Sequence, residues 1–332
     1  MTNLFQSQAW EEFKLKSGYQ ASFWVDGILV LKKALTLGYS MLYSPMVQEF
    51  QVPRTKYQEF IEKIRKLALE QNAIFYRLEL DIPSVPTQIP NTKYQIVHGF
   101  RRAFEEMQPE HTLVLDLKQS ETDLLAQMSQ KGRYNIRVAE RNNIKITSGT
   151  EKRLVDNFYA LYQQTGKRHR ITYRSKSYFE NLVEILSKLG YVEIYQASIS
   201  SETCLNLDDN RLSQCLDNLE EGNQKVLCSA IIVFSGKKAI YLFGASSDAH
   251  KQFMPTYALH WQIIKEMKAK GFTEYDFFGI APNDDPKHPW AGVTQFKKRF
   301  GGKEISILGS YDLTCKPVQY QLFKIAEKLR RH

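Results

Sequence analysis

The order of secondary-structure signals in this chain repeats, and the repeat limits the folds open to it. In the first half, strand-like runs at 19–25, 28–33 and 39–44 precede a helical pattern at 57–68 and a strand at 74–80. In the second half, strands at 191–199, 227–235 and 238–246 precede a helix at 256–270 and a strand at 274–280. Because meander, helix and strand occur twice, the pattern predicts an α/β (α+β) fold of two similar units, each a mixed sheet flanked by helices.

The length of the chain also favours two domains. Its 332 residues exceed the usual size of one hydrophobic core. We predict a first domain over 1–149, a second over 150–312, and a C-terminal helix (313–332) that packs back on the first. Between the halves we predict a helical segment over 121–142, which begins after a capping-box-like sequence at Ser120. We interpret the polar stretch 201–225 as an insertion.

Composition excludes several classes of protein. The start of the chain lacks the basic and apolar regions of a secretory signal, and no apolar run reaches the ~20 residues of a membrane span. We therefore expect a cytoplasmic protein. The four cysteines show no CxxC spacing and no neighbouring histidine, so we expect free thiols and no bound metal. No P-loop, zincin or hydrolase-elbow motif occurs, and no organic cofactor is implied.

Positive charge is concentrated in one window. Between Lys131 and Lys176, twelve Lys/Arg face three acids, which accounts for the whole net charge of +9. Arg133, Arg137 and Arg141 recur every four residues and would form one basic stripe on a helix, followed by a basic loop at 166–174. The window indicates a polyanionic partner, which could be RNA, DNA, nucleotide phosphate or an anionic membrane surface. The alternative is a solvated basic helix face without a partner.

Single residues add three candidates for substrate binding. Lys14 lies one helical turn after Trp10, and is either a phosphate-binding lysine or a side chain that extends along the tryptophan to solvent. Alternation places Arg77 and Glu79 on one face of a strand, where they either pair or line a cleft.

A lysine near the end of the second half is the candidate for chemistry. Lys297 follows Phe296 after a polar loop at 281–292 that is rich in Pro and Asp. A lysine placed in this way could polarise an ester carbonyl or stabilise an oxyanion. The alternative is a basic turn on the surface.

Five motifs, in this order and spacing, resemble one known family over nearly the whole chain. They are Lys-Gly-Arg-Tyr-Asn-Ile-Arg at 131–137, His-Arg-Ile-Thr-Tyr-Arg at 169–174, Met-Pro-Thr-Tyr-Ala-Leu-His-Trp at 254–261, Tyr-Asp-Phe-Phe-Gly-Ile at 275–280 and Gly-Val-Thr-Gln-Phe-Lys-Lys-Arg-Phe at 292–300. The family is that of the Fem transferases (FemA, FemB and FemX), which build peptidoglycan bridges without a ribosome.

The resemblance implies two acetyltransferase-like (GNAT-type) domains that face a shared cleft. It implies that Lys14 and Arg174 hold the diphosphate of a UDP-linked precursor, that Tyr178 helps to bind it, and that Phe296 and Lys297 act in the transfer step. We place Arg77 and Glu79 with the precursor-binding residues, and Arg133, Arg137 and Arg141 in a tRNA-binding stripe.

Three departures from the family pattern affect this interpretation. Phe243 stands where some relatives have a tyrosine, so a hydroxyl contact is lost there. Relatives that dock tRNA through a long coiled-coil arm carry it where this chain has only 201–225. The acyl-CoA signature [QR]-x-x-G-x-[GA] of ordinary GNAT enzymes does not occur, which argues against CoA as donor.

The function implied by the resemblance is an aminoacyltransferase of cell-wall biogenesis and cell-shape maintenance. Its expected partners are aminoacyl-tRNA and a UDP-MurNAc-peptide or lipid-linked peptidoglycan precursor, with peripheral contact to the membrane, and the expected state is a monomer. A stem-peptide amine would attack the activated ester, so no covalent enzyme intermediate is required. Two other functions stay open, an acyl-CoA-dependent N-acyltransferase and a non-catalytic RNA-binding module. The amino acid transferred is not specified by the sequence.

Overall fold

A computed structural model of the protein describes residues 3–48, 56–84, 99–169, 174–200, 224–248 and 250–331, and they divide into a terminal and a central unit. The terminal unit combines Thr2–His111 with Ile305–His332, and the central unit is Thr112–Glu304. The predicted division at residue 149 places 112–149 in the first domain, whereas here this segment packs into the central unit. The reason is that Leu124, Met128 and Ile136 lie in the central unit's core.

The terminal unit has a mixed sheet in the order β1-β2-β3-β4-β12, with β5 pairing to β12. Its strands are β1 (Ala21–Val25), β2 (Ile28–Ala34), β3 (Ser40–Val47), β4 (Ala73–Pro83), β5 (Arg101–Arg102) and β12 (Lys303–Thr314), and its helices are α1 (Gln8–Lys16), α2 (Tyr57–Glu70) and α9 (Pro317–Arg331). Only β3 and β4 pair in parallel among the strand pairs described for this sheet. The connection between them is α2, as a parallel pair requires.

Two local signals in the sequence of the terminal unit can be compared with the structure: Asp26-Gly27, which predicts a hairpin between the runs 19–25 and 28–33, and Ser7, which predicts the start of a helix. Asp26 (φ 49°) and Gly27 (φ 80°) form the left-handed turn that joins β1 to β2, which confirms the predicted hairpin. Ser7 caps α1 by accepting a hydrogen bond from the Trp10 amide. On the sheet, Phe60 of α2 packs in one core with Tyr76 of β4.

The central unit has a second mixed sheet, in the order β6-β11-β10-β9-β8-β7. Its strands are β6 (His111–Asp116), β7 (Lys145–Gly149), β8 (Val192–Ser200), β9 (Gln224–Ser235), β10 (Lys238–Ser246) and β11 (Glu274–Gly279). Its helices are α3 (Glu121–Gln127), α4 (Gln130–Arg141), α5 (Lys152–His169), α6 (Lys176–Ser187), α7 (Pro255–Ala269) and α8 (Ala291–Lys298). Of the pairs described, β10–β11 is parallel and the others are antiparallel.

The helical segment predicted over 121–142 is two helices. Met128 has an extended backbone (φ −66°, ψ 149°) that ends α3, and the Ser129 side chain then caps α4 through the Gly132 amide. Ser120 caps α3 through the Asp123 amide, as the capping-box signal predicts.

Two predictions fall partly or wholly on residues that the structure does not describe. Most of the proposed insertion, 201–223, lies outside the described residues, and so do Cys204 and Cys215. Cys228 and Cys315 are free thiols. Within the described ranges, no helix combines the length and the apolar composition that crossing a bilayer demands.

Candidate functional site

Lys297 lies near the end of α8 with its ammonium inside the central unit. Its side chain is only 6% exposed. The Nζ atom donates to the carbonyl oxygens of Gly279 (2.7 Å) and Phe278 (3.4 Å), and lies 5.6 Å from the centroid of the Tyr241 ring. Burial lowers the pKa of Lys297 to about 8, against the opposing effect of Asp276. Lys297 is therefore a buried cation and not part of a surface turn.

A bulge in β11 supplies the carbonyls that Lys297 contacts. The register of β11 against β6 shifts between Asp276 and Gly279, and Phe278 has a left-handed backbone (φ 59°). The Asp276 carboxylate accepts a hydrogen bond from the Phe278 amide (2.8 Å) and another from the Thr112 hydroxyl. A bulky residue with positive φ is costly, so Asp276 stabilises a strained turn that directs two carbonyls at the lysine.

The Tyr241 ring next to Lys297 packs against a buried histidine. His260 of α7 has its ring 4.5 Å from that of Tyr241 and 5.5 Å from that of Phe296, with Nδ1 at 2.8 Å from the Tyr275 hydroxyl oxygen. Burial is the main cause that lowers the pKa of His260 to about 3, and the charge of Lys297 lowers it further. The imidazole is therefore neutral. Sequence analysis gave His260 no role, although it is a polar residue on an otherwise apolar helix face.

The N-terminus of α4 holds the end of α8 in place. The Ser129 amide donates to the Arg299 carbonyl (3.1 Å), and a Cβ at Gly132 would lie 2.4 Å from that same oxygen. The Arg299 guanidinium also donates to the Tyr257 hydroxyl of α7 (2.8 Å). Three motifs that are far apart in sequence, at 131–137, 254–261 and 292–300, thus meet at the end of α8, and the motif at 275–280 supplies the carbonyls that Lys297 contacts.

Arg174 and Tyr178 form a second cluster in the central unit. The guanidinium carbon of exposed Arg174 lies 4.5 Å from the centroid of the Tyr178 ring, within cation–π range. Phe243 contacts the same tyrosine edge-on at 6.1 Å. Burial raises the pKa of Tyr178, and Arg174 opposes this effect. The stacking fixes the guanidinium while leaving it open to an anion. The residues before it, 170–173, lie outside the described part of the chain.

Lys14, in the terminal unit, has its cation among aromatic rings. Its Nζ atom lies 4.7 Å from the Trp10 centroid, 5.1 Å from Phe13 and 5.7 Å from Tyr19, and the residue is 7% exposed. A lysine that extends along a tryptophan to solvent would expose its ammonium, and Lys14 does not. A diphosphate-binding role for Lys14 stays a prediction.

Arg77 and Glu79, also in the terminal unit, each have several protein partners. The fully buried Arg77 donates from Nε and Nη2 to the two carboxylate oxygens of Asp312 at 2.7 and 2.8 Å. Glu79 accepts hydrogen bonds from the Tyr43 hydroxyl (2.5 Å) and the Gln108 amide (2.9 Å), and burial raises its pKa to about 7. In these contacts Arg77 pairs with Asp312 and Glu79 accepts from neutral donors, which is not the pairing of the two residues with each other that the sequence suggested. Precursor binding by either residue stays a prediction.

The three arginines of the basic stripe differ in their surroundings. Half-buried Arg133 donates to the carbonyls of Met128 and Ala126 at the end of α3, where a cation complements the helix dipole. Arg137 and Arg141 are exposed on α4 and line an open surface together with Tyr134 and Glu140. The exposed stripe is therefore shorter than the sequence pattern suggests.

Solved structures with the same architecture define the class of this protein. A crystal structure of FemX superposes with a TM-score of 0.78 at 21% identity, covering 96% of this chain and 94% of that one. A tandem GNAT protein from the clavulanic acid biosynthesis pathway superposes with a TM-score of 0.50 at 11% identity, covering 87% of this chain and 79% of that one. The chain has a mixed α/β fold similar to those of FemX and the tandem GNAT protein, as the sequence pattern and the resemblance predicted.

Sequence comparison gives the family. The model of the FemAB family matches residues 93–206 and 198–328, which is more than half of the chain. The protein belongs to the FemAB family. Among its relatives are two proteins named lipid II:glycine glycyltransferase. The one from Staphylococcus haemolyticus (strain JCSC1435) is 23% identical, covering 97% of this chain and 90% of the relative. The one from Staphylococcus aureus (strain USA300) is 22% identical, covering 99% and 95%.

Proposed function

We propose that this protein transfers an amino acid from aminoacyl-tRNA to the stem-peptide amine of a peptidoglycan precursor. The observation that carries the proposal is the buried ammonium of Lys297, which belongs to one family motif and donates to the carbonyls of another, at 275–280. The names of the similar staphylococcal proteins support a transferase that acts on a peptidoglycan precursor.

In the proposed reaction, the amine attacks the ester carbonyl carbon of the aminoacyl-tRNA. Negative charge then develops on the carbonyl oxygen, the ester C–O bond breaks, and the ribose oxygen takes up the proton that the amine loses. The Nζ of Lys297 has three donors, and the carbonyls of Gly279 and Phe278 use two, the second at a long 3.4 Å. We assign the remaining proton to the oxyanion, and the burial of the ammonium strengthens that interaction.

The neighbouring side chains limit where the amine's proton can go. His260 has a pKa of about 3, so it is too weak a base to accept this proton at neutral pH. Burial raises the pKa of the Cys228 thiol, which leaves it a poor nucleophile. Both facts favour a direct transfer in which the substrates exchange the proton, without a covalent enzyme intermediate.

Binding of the two substrates is assigned to separate cations. Arg174, held by stacking on Tyr178, would bind a precursor phosphate, because a planar guanidinium donates two parallel hydrogen bonds. Arg137 and Arg141 would contact tRNA phosphates, with the half-exposed Tyr134 beside them available for stacking on a base.

A transfer assay with a matched pair of variants tests the proposal. The wild-type protein is given labelled aminoacyl-tRNA or acyl-CoA as donor, with a UDP-linked or lipid-linked pentapeptide as acceptor, and the products are weighed by mass spectrometry. We expect products from aminoacyl-tRNA only. Lys297→Met should lower turnover by about a hundredfold or more, since it removes one oxyanion donor.

Lys298→Met is the control. Lys298 forms ion pairs on the surface with Asp284 (2.7 Å) and Glu304 (2.8 Å), so the same change should leave turnover nearly unaltered. Product from acyl-CoA would favour the N-acyltransferase alternative. Tight tRNA binding without product from any donor would favour the RNA-binding module, and equal losses in both variants would remove Lys297 from the chemistry.

A further inference from the structure

The outer face of helix α9 carries a stripe of exposed apolar side chains. Val318, Leu322, Ile325 and Leu329 are 68%, 62%, 56% and 74% exposed. Their spacing of four, three and four residues aligns them on one side of the helix. The opposite side is anchored, because Tyr320 and Phe323 pack against Phe75 of β4 at ring distances of 5.3 and 5.6 Å. The helix is thus fixed to the terminal unit with a second apolar face turned outward.

Two more exposed leucines lie close to the start of this helix. Lys316, just before α9, donates to the Asn72 side-chain oxygen, and the Asn72 amide group donates to the Gly38 carbonyl (2.9 Å). These bonds bring the turn at Leu37 and the end of α2 at Leu69 close to the start of α9. Leu37 is 90% exposed and Leu69 is 76% exposed. Leu37 also has a left-handed backbone (φ 58°), which is uncommon and energetically costly for a leucine. Because the side chain is exposed, no burial of apolar surface offsets this cost.

The sequence of α9 is mostly positive in charge, with four Lys/Arg against one acid, Glu327. Lys328 and Arg330 are exposed, and Arg330 pairs with Glu327 at 2.8 Å, whereas Lys324 lies over the Tyr320 ring on the anchored side. Lys316 adds a further cation at the start of the helix, with its Nζ 5.1 Å from the Tyr39 ring centroid. Two copies of this chain paired through the stripe would bring these like charges together, which disfavours self-association. An anionic surface would neutralise them.

We propose that the stripe of α9, with Leu37 and Leu69, docks the protein on the surface of an anionic phospholipid bilayer. The apolar side chains would enter the boundary between headgroups and acyl chains, while the Lys/Arg side chains contact lipid phosphates. This binding goes beyond the proposed transfer reaction and does not depend on it.

Vesicle co-sedimentation of the full-length protein tests the proposal. Vesicles of phosphatidylcholine alone are compared with an equimolar mixture of phosphatidylcholine and phosphatidylglycerol. We expect binding to the anionic vesicles, weakened by salt, and little binding to the neutral ones. The double variant Leu322→Glu/Ile325→Glu should bind at least about a hundredfold more weakly, since each removed apolar contact is worth about tenfold.

Two further variants separate membrane contact from folding. Leu189→Glu is the matched control, because Leu189 is 63% exposed in the central unit, and it should bind vesicles like wild type. Leu37→Asn removes an apolar tip but suits a left-handed backbone, so it should weaken vesicle binding while the melting temperature stays equal or rises. The proposal would be overturned if wild-type protein did not bind anionic vesicles, or if the double variant bound them as tightly as wild type. It would also be overturned by a wild-type dimer in ultracentrifugation that the double variant abolishes, with no vesicle binding by either.

Discussion

Among single residues, Lys297 loses its proton in a pH range where the rate of the proposed reaction can be measured. Its pKa of about 8 means that the ammonium is present at neutral pH and is lost as the pH rises through 8. If the cation stabilises an oxyanion, the enzymatic contribution to the rate should fall above this pH.

The first prediction therefore compares wild type with Lys297→Arg across pH 8. Arginine stays protonated at these pH values, so the ratio of wild-type to variant single-turnover rates should decline above pH 8. Taking the ratio cancels the ionisation of the substrate amine, which both proteins share. A ratio that rises above pH 8 would indicate instead that the neutral lysine acts as a base.

The second prediction concerns Arg174. Because its side chain is exposed and stacked on Tyr178, Arg174→Ala should leave the melting temperature nearly unchanged and weaken precursor binding by roughly 1.5–3 kcal/mol. Titration calorimetry with a UDP-linked pentapeptide measures the loss, and Arg168→Ala, elsewhere in the same basic segment, is the comparison. An unchanged dissociation constant for Arg174→Ala would end its assignment to the precursor. Lys14 does not allow so clean a test, because its stem is buried among three rings.

At the scale of helices and strands, the packing of α4 against the end of α8 helps to position Lys297, and Gly132 allows the two helices to approach closely. The third prediction is that Gly132→Ala destabilises the fold by about 1–3 kcal/mol and lowers turnover, because the new Cβ would lie 2.4 Å from the Arg299 carbonyl and push α4 from the end of α8. Gly292→Ala is the control, since nothing lies within 4 Å of a Cβ at that position in α8. Chemical denaturation and steady-state transfer measure the two effects. Equal stability of both variants would contradict the close approach.

The elements that sequence analysis predicted are those with local signals. The β1–β2 hairpin follows from Asp26-Gly27, and α1 follows from its capping serine. Strand β12 was not predicted, because it pairs with β4, whose residues lie more than two hundred positions earlier in the chain. The burial of Lys297 was equally inaccessible, since it depends on a bulge in β11 and on rings from α7. The motif spacing identified the lysine but could not show its surroundings.

On the scale of the whole molecule, the Arg77–Asp312 pair joins the two ends of the chain within one unit. Both side chains are fully buried, and Asp312 also accepts from the Tyr320 hydroxyl of α9 (2.7 Å). The fourth prediction is that Arg77→Met destabilises the terminal unit by about 3–5 kcal/mol, because it leaves Asp312 buried and unneutralised by its main partner. Adding Asp312→Asn, which removes the charge and keeps an acceptor for Tyr320, should restore part of the loss. Urea denaturation of both variants checks this, and a double variant less stable than the single one would contradict it.

The pairing of β4 with β12 also sets an order of events during synthesis. Arg77 leaves the ribosome 235 residues before Asp312 does. At elongation rates of about 5–20 residues per second, that interval is roughly 12 to 47 seconds. The central unit is continuous in sequence, so its strands can pair during this time, while β4 can pair with β3 on one edge and waits for β12 on the other. Folding of the nascent chain should therefore begin in the middle, and the N-terminal segment should need protection from premature pairing until the last residues emerge.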